Sequence, residues 1–241
     1  MDCMEYMKGI PDKFFDLAVV DPPYGINAPN MAMGTNMNRK HNGYNGESIA
    51  QRLKKGRLNQ GAGKLKHRAL NTMQCEWDFH APPKEYFQEL CRVSRNQVIW
   101  GGNYFHLPPT RGVLCWDKMQ PWDNFSQFEL AWTSFDCPAA IIHLSNTGGA
   151  NKEAKIHPTQ KPIALYHWVF KKFVKPGDKI LDTHLGSGSS RIVAYKMGVD
   201  FYATEIDKEY FELQEKRFLR ECLGEIRTKK GVLVQTSLFD V

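Results

Sequence analysis

Ile180-Leu181-Asp182-Thr183-His184-Leu185-Gly186-Ser187-Gly188-Ser189-Ser190 reads as a strand, a glycine-rich turn and the start of a helix. Glycines at such a turn let backbone approach a ligand closely at the open end of a parallel strand. The next strand ends in Ala203-Thr204-Glu205-Ile206-Asp207, so Glu205 follows Gly186 by 19 residues. An acidic side chain at that spacing accepts hydrogen bonds from both hydroxyls of a ribose. The pair suits NAD or S-adenosylmethionine; a tight turn with a helix cap at Ser189 is the purely structural alternative. Arg191 stands where the dinucleotide fingerprint has its third glycine, and no pyrophosphate contact is evident, which favours S-adenosylmethionine.

Working outward, strands are expected over Lys179 to Leu181 and Phe201 to Thr204, and helices over Pro162 to Val174, Ser189 to Met197 and Lys208 to Leu223. Toward the N-terminus, Asp16 to Val20 is an apolar run ending at a Pro-Pro turn, which reads as a buried strand. Lys84 to Val93 has Tyr86, Phe87, Leu90 and Val93 at helical core spacing. Gln97 to Trp100, Gly112 to Trp116, Phe128 to Trp132 and Ala139 to Leu144 read as further strands. Strands alternating with helices predict an α/β fold with a doubly wound, mostly parallel sheet. Met1 leads almost directly into Asp2-Cys3 with no preceding strand, so a short N-terminal segment is expected to be missing.

Residues from about 26 to 75 break this alternation. Arg39, Lys40, Arg52, Lys54, Lys55, Arg57, Lys64, Lys66 and Arg68 face one acid there, Glu47. The stretch is too long for a plain connection and is expected to be a functional insertion, with a short helix near Ser48 to Leu53. The whole chain of 241 residues carries a formal charge of +6, compatible with a polyanionic partner without requiring one. Its six cysteines, Cys3, Cys75, Cys91, Cys115, Cys137 and Cys222, include no C-x-x-C pair, so neither a zinc site nor a disulfide framework is expected, and no metal is assigned. No signal peptide or bilayer-length apolar run is found, so a cytoplasmic protein is the expectation.

Asp21-Pro22-Pro23-Tyr24-Gly25 follows its own strand. An aromatic amine is a poor nucleophile because its lone pair is delocalised. Acceptors aimed at the amino hydrogens hold the nitrogen in line for attack and favour pyramidalisation. Asp21 offers a carboxylate, Pro22 a carbonyl, the two prolines stiffness, and Tyr24 a ring face on which an extruded base can stack. The plain alternative is a proline-terminated strand with Tyr24 as packing.

This turn, the cofactor loop Asp182 to Ser190 and the segment His157-Pro158-Thr159-Gln160-Lys161-Pro162 together resemble the beta-class amino-methyltransferases of DNA, especially the compact phage and prophage adenine methylases. Ile99-Trp100-Gly101-Gly102-Asn103 and Trp116-Asp117-Lys118 are weaker matches, and the order of motifs is that of the beta class. The resemblance implies the Rossmann-like sheet of the class I S-adenosylmethionine-dependent methyltransferases. It implies one methyltransferase domain over 1–241, carrying the 26–75 insertion, a small target-recognition segment at about 117–155 and a tail at about 230–241. It implies methyl transfer from S-adenosylmethionine to the exocyclic N6 of a flipped-out adenine in double-stranded DNA, in the manner of restriction-modification enzymes, with Asp21, Pro22, Pro23 and Tyr24 catalytic. Asp182 and Gly186 would contact the methionine moiety, Glu205 the ribose, and Thr159 and Lys161 the methionine carboxylate. Asp2, with Cys3 beside it, falls where the family places an acidic group near the cofactor's adenine. Asp21, Thr183, Gly188, Ser189 and Ile206 complete the expected cofactor shell. The family's usual Pro-Phe is Thr183-His184 here, so His184 either replaces an aromatic contact to the cofactor or is a loop histidine.

No Pro-Cys motif is present, which argues against the cytosine-C5 class and its thiolate nucleophile. Cytosine-N4 methylation, a catalytically inactive DNA-binding relative, and action on RNA or protein glutamine remain as alternatives. Arg39, Lys40, Lys54, Lys55, Arg57, Lys64 and Lys66 are the expected phosphate contacts. Target recognition is assigned to residues 26–75 and to the stretch from Gln120 to Asn151, where Trp122 and Phe125 read as packing residues. Both segments are short, so a short or relaxed recognition sequence is expected. Gln235, Leu238 and Phe239 resemble the anchors of peptides that dock on the replication sliding clamp, with a packed last strand as the alternative. The expected assembly is a monomer or homodimer.

Overall fold

The computed structural model of the chain describes residues 1–26, 78–120, 126–145, 155–228 and 231–234. Helix α1 (Cys3–Lys8) leads into strand β1 (Phe15–Val20). After the insertion come α2 (Lys84–Val93), β2 (Ser94–Trp100), β3 (Val113–Asp117), β4 (Phe128–Thr133) and β5 (Ala140–His143). Then follow α3 (Ile163–Phe173), β6 (Lys179–Asp182), α4 (Ser189–Met197), β7 (Asp200–Ala203) and α5 (Lys208–Cys222). A separate antiparallel hairpin pairs β8 (Glu225–Thr228) with β9 (Gly231–Val234).

Seven strands form one sheet in the order β5-β3-β4-β2-β1-β6-β7. Only β4 runs against the others, pairing antiparallel with both β2 and β3. The expected doubly wound, mostly parallel sheet is therefore the fold. β1 lies between two parallel partners, β2 and β6, with Leu17 opposite Ile180 and Ala18 opposite Leu181. From β1 the chain proceeds to β2 on one side; from β6 it proceeds to β7 on the other. The strand order reverses between β1 and β6, and a crevice opens beyond their carboxyl ends. Both sequence motifs leave the sheet at that crevice.

Apolar side chains on both faces explain why β1 reads as an unbroken hydrophobic run. Leu17, Val19, Val98, Trp100 and Ile180 face α3 and α4, which contribute Leu165, Val169, Phe170, Val193 and Ala194. Ala18, Val20, Ile99 and Leu181 face α1 and α2, which contribute Met7, Tyr86, Leu90 and Val93. Beyond the unforeseen β8–β9 hairpin, two elements differ from expectation. β2 starts at Ser94 rather than Gln97, because the polar side chains there are satisfied internally: Ser94 Oγ donates to the Leu90 carbonyl (2.5 Å) and Gln97 Nε2 donates to Ser94 (3.0 Å). α1, unforeseen in the sequence, is nucleated by Asp2, whose carboxylate accepts the Glu5 backbone N–H (3.0 Å). Among the described residues, no helix is long and apolar enough to cross a membrane.

Phe170 is fully buried between α3 and the sheet. Phe170→Ala is expected to cost about 3–5 kcal/mol of unfolding free energy, read from the shift in a urea denaturation midpoint.

Candidate active site

Asp21-Pro22-Pro23-Tyr24-Gly25 emerges from β1 and is fastened from outside the motif. Asp78, almost fully buried, accepts the backbone N–H groups of Tyr24 (2.8 Å) and Gly25 (3.0 Å) on one carboxylate oxygen. Gly101, at φ +71°, lies against the Tyr24 ring so closely that a Cβ there would fall 2.2 Å from Cε1. Tyr104 stacks on the same ring, with centroids 4.9 Å and planes 15° apart. The weak match around Ile99 to Asn103 thus has a physical purpose: it supplies backbone and an aromatic ring to pack Tyr24. It also means that Tyr24 is not a bare face, since Tyr104 already stacks on it.

A charged cluster lies beneath the turn. Tyr24 hydroxyl donates to Asp21 Oδ1 (2.8 Å), and Lys161 Nζ donates to the same oxygen (2.5 Å). Lys161 Nζ also approaches Glu129 Oε2 (3.0 Å), whose other oxygen pairs with Lys118 (2.6 Å). Burial opposes ionisation of Glu129, but Lys161 and Lys118 outweigh it and hold the carboxyl at about 2. Burial pushes Asp21 up, and Lys161 offsets part of that rise. Burial and the neighbouring Asp21 keep the Tyr24 phenol protonated.

At the end of β6, the cofactor turn is braced rather than loose. Asp182 Oδ1 accepts the His184 N–H (3.0 Å) and Oδ2 accepts the Ser190 hydroxyl (2.6 Å). Glu205, at the end of β7, accepts the backbone N–H groups of Gly186 (2.7 Å) and Asp207 (2.9 Å). A carboxylate has about four lone-pair sites, so capacity for hydroxyl donors remains. Arg217 reaches up from α5 and donates to the Ser187 carbonyl (2.7 Å) and Ser189 Oγ (2.9 Å). Ser189 in turn donates to the Lys161 carbonyl (2.7 Å), tying the cofactor turn to the 157–161 segment. Gly188 sits at φ +73°, where a Cβ would meet Gln214 at 2.9 Å.

One cavity of about 720 Å³ joins these parts, with Asp21 to Tyr24 on one wall, His184 to Ser187, Glu205 and Ile206 on another, and His157 to Lys161 along its side. His184 packs edge-on to Tyr86 (5.4 Å) and pairs with Thr183 Oγ1 (2.9 Å). Burial lowers His184 to about 4 and His157, which also faces Lys161, to about 3, so both rings are neutral near pH 7. Thr159 lines the cavity and bonds to His157 Nδ1 (3.2 Å). Asp2 and Cys3 lie close by: the Met1 ammonium donates to the Glu205 carbonyl (2.7 Å), and Cys3, raised to about 11 by burial, stays a thiol. Asp182, Thr183 and Gly188 are placed behind the turn rather than on the cavity wall. Lys161, expected near the methionine carboxylate, lines the cavity and is bonded to Asp21. Lys118 stood in the weaker Trp116-Asp117-Lys118 match without a role; Asp78, Tyr104, Glu129 and Arg217 were missed, because nothing in their local sequence sets them apart from ordinary charged or aromatic residues. The phosphate-contact residues Arg39 to Lys66, the Ser48 to Leu53 helix, Trp122, Phe125, and the tail anchors Gln235, Leu238 and Phe239 lie outside the described residues.

Burial raises Asp182 to about 7 from a usual 3.8, so folding favours its protonated form. That stabilising contribution is present below the unfolded value and is lost as pH rises through about 7. Asp182→Asn should therefore gain on the parent chain by on the order of a few kcal/mol between pH 4 and pH 7.5, measured by thermal unfolding without cofactor.

The comparison with known proteins follows the same lines. The DNA methylase model of the N6/N4 methyltransferases matches residues 64–216, which hold the 157–162 segment, the cofactor turn and Glu205, with the 21–24 turn lying before the matched stretch. Type II methyltransferase M2.DpnII of Streptococcus pneumoniae is 33% identical over 128 residues, 53% of this chain and 43% of that protein. Type II methyltransferase M2.MboI of Moraxella bovis is 21% identical over 90% of this chain and 85% of its own. The chain spans under half the length of M2.DpnII, and 28% of Type II methyltransferase M.HpaI of Haemophilus parainfluenzae. Among solved structures, the cytosine-N4-specific PvuII DNA methyltransferase shares the fold, with a TM-score of 0.52 at 14% identity over 91% of this chain and 84% of that one. With more than half of its residues matched by the family model, this chain belongs to the N6/N4 DNA methylase family.

Proposed function

We propose that the chain methylates the exocyclic N6 of adenine in DNA, with S-adenosylmethionine as donor. The observation that carries this reading is the shared cavity: the Asp21 to Tyr24 turn and the Gly186–Glu205 edge line one space, brought together by the pairing of β1 with β6. The residues present fit the donor. Glu205 retains acceptor capacity for ribose hydroxyls, Ile206 is exposed beside it for an apolar contact with a base, and His184 and Thr159 line the same cavity. Asp2 and Cys3 stand near the adenosine end, and Gly186 leaves room for close approach of backbone. When bound, S-adenosylmethionine supplies an electrophilic methyl group on a sulfonium.

The chain's own residues orient the acceptor. Asp21 and the Pro22 carbonyl accept the two amino hydrogens, which draws the nitrogen lone pair out of conjugation and toward the methyl. Pro22 and Pro23 stiffen the turn, and Asp78 fastens it, so the acceptors need little reorganisation. Tyr24 and Tyr104 form an aromatic wall for a base taken out of the helix. Residues 39–68 supply the positive charge for backbone phosphates.

Three measurements test this reading. Plasmid DNA incubated with labelled donor, digested and separated as nucleosides, is expected to yield N6-methyladenine, and N4-methylcytosine as the sole product would overturn the base assignment. Asp21→Ala should lose turnover by about 10³-fold while keeping donor affinity within a few-fold. Glu205→Gln is expected to weaken donor binding about tenfold by calorimetry, as one charged hydrogen bond is lost.

A further inference from the structure

Lys161 and Glu129 lie outside the catalytic turn: Lys161 touches it at Asp21 and Tyr24, and Glu129 Oε2 lies 3.2 Å from the Tyr24 hydroxyl. Lys161 Nζ sits 2.5 Å from Asp21 Oδ1, 2.9 Å from the Tyr24 hydroxyl and 3.0 Å from Glu129 Oε2. Its side chain is 4% exposed, and its ring neighbours are Tyr24 at 5.3 Å and Trp100 at 5.4 Å. An ammonium held on all sides in this way has little freedom to reach across to a cofactor. Both donors to Asp21, the Lys161 ammonium and the Tyr24 hydroxyl, fall on Oδ1. Among the described residues nothing donates to Oδ2, so that oxygen is the acceptor left for a substrate amino group. Lys118 closes the array by pairing with Glu129, giving two carboxylates and two ammonium groups that sum to no net charge.

Building on the proposed activity, we infer that Lys161 and Glu129 are positioning residues for Asp21: Lys161 fixes its carboxylate through Oδ1, Glu129 holds Lys161 in place, and together they set the charge under which Asp21 accepts the amino hydrogens. Lys161 thereby serves the methyl acceptor rather than the methionine end of the donor. The groups facing Asp21 are Tyr24 on its own turn, Lys161 before α3, Glu129 on β4, Tyr166 on α3, Tyr86 on α2 and Asp182 on β6. The phenols of Tyr24, Tyr86 and Tyr166 are all held well above their usual range, so the charged neighbours that govern Asp21 are the one ammonium and the two acids. Lys161 lowers the Asp21 carboxyl and Glu129 raises it. The two residues therefore pull in opposite directions on one proton.

The test titrates Asp21 directly, by carbon NMR of ¹³C-aspartate-labelled full chain with Asp21→Asn for assignment, beside the acid limb of the methylation rate and calorimetric binding of S-adenosylmethionine. In Lys161→Met, Asp21 and the acid limb are expected to move to higher pH by about one unit or more, with donor affinity within threefold of the parent. In Glu129→Gln they are expected to move to lower pH, and Lys161→Arg should restore the parent limb. Unchanged titration in both variants, or shifts in the same direction, would overturn the inference. So would a tenfold or greater loss of donor affinity in Lys161→Met with the limb unmoved, which would return Lys161 to the donor's carboxylate. If Lys161→Met does not fold, the downward shift in Glu129→Gln decides alone. The titration needs no DNA, so a parent chain that methylates no base refutes the proposed activity without obscuring the Asp21 result.

Discussion

The pairing of Leu17 with Ile180 and Ala18 with Leu181 is the contact on which the site depends. Two strands far apart in sequence run side by side in the same direction, so their carboxyl ends release two different loops into one crevice. Neither loop has a function alone. The Asp21 turn offers acceptors with nothing to accept from, and the glycine turn offers a ligand edge with no reacting partner. The strand reversal at β1 and β6 makes them one cavity, and burial of both sheet faces under α1, α2, α3 and α4 makes that reversal rigid. The Ser189 hydroxyl on the Lys161 carbonyl, with the Lys161 ammonium on Asp21, forms a second, polar link across the same crevice.

Burying charge here is costly, and the structure shows how the cost is met. An unpaired buried carboxylate would protonate or disrupt the fold. Glu129 escapes that by meeting two lysines, and Asp21 by meeting one lysine and a phenol. The glycine turn uses a different solution: burial pushes the Asp182 carboxyl up to about 7, and the neutral donors it meets, the Ser190 hydroxyl and a backbone N–H, offset that rise only in part. The Asp21 side of the cavity thus carries paired charge, while Asp182 behind the glycine turn is poised to be neutral.

The sheet and its two motifs were legible in the sequence because period and punctuation decide them: an apolar run ended by prolines, a strand ended by glycines, and an acid at the next strand's end. α2 and α4 have the expected boundaries for the same reason. What the sequence concealed was long-range. Asp78 has no local pattern, yet its carboxylate holds Tyr24 and Gly25 from the far side of the insertion. Glu129 on β4 and Lys118, just past the end of β3, become a pair only when β3 and β4 lie antiparallel. Lys161 was noticed for the right segment, but its partner depends on a side-chain direction that spacing does not encode. Ser94 and Gln97 hid the start of β2 because polar residues satisfied by each other look, in sequence, like residues facing water.

The central claim is that donor and acceptor meet across the β1–β6 crevice. A crystal structure with S-adenosylhomocysteine tests it most directly. The ribose is expected on Glu205, the adenine beside Ile206, and the sulfur directed across the cavity toward Asp21. A ligand bound away from Glu205, or with its sulfur directed away from the Asp21 turn, would contradict it.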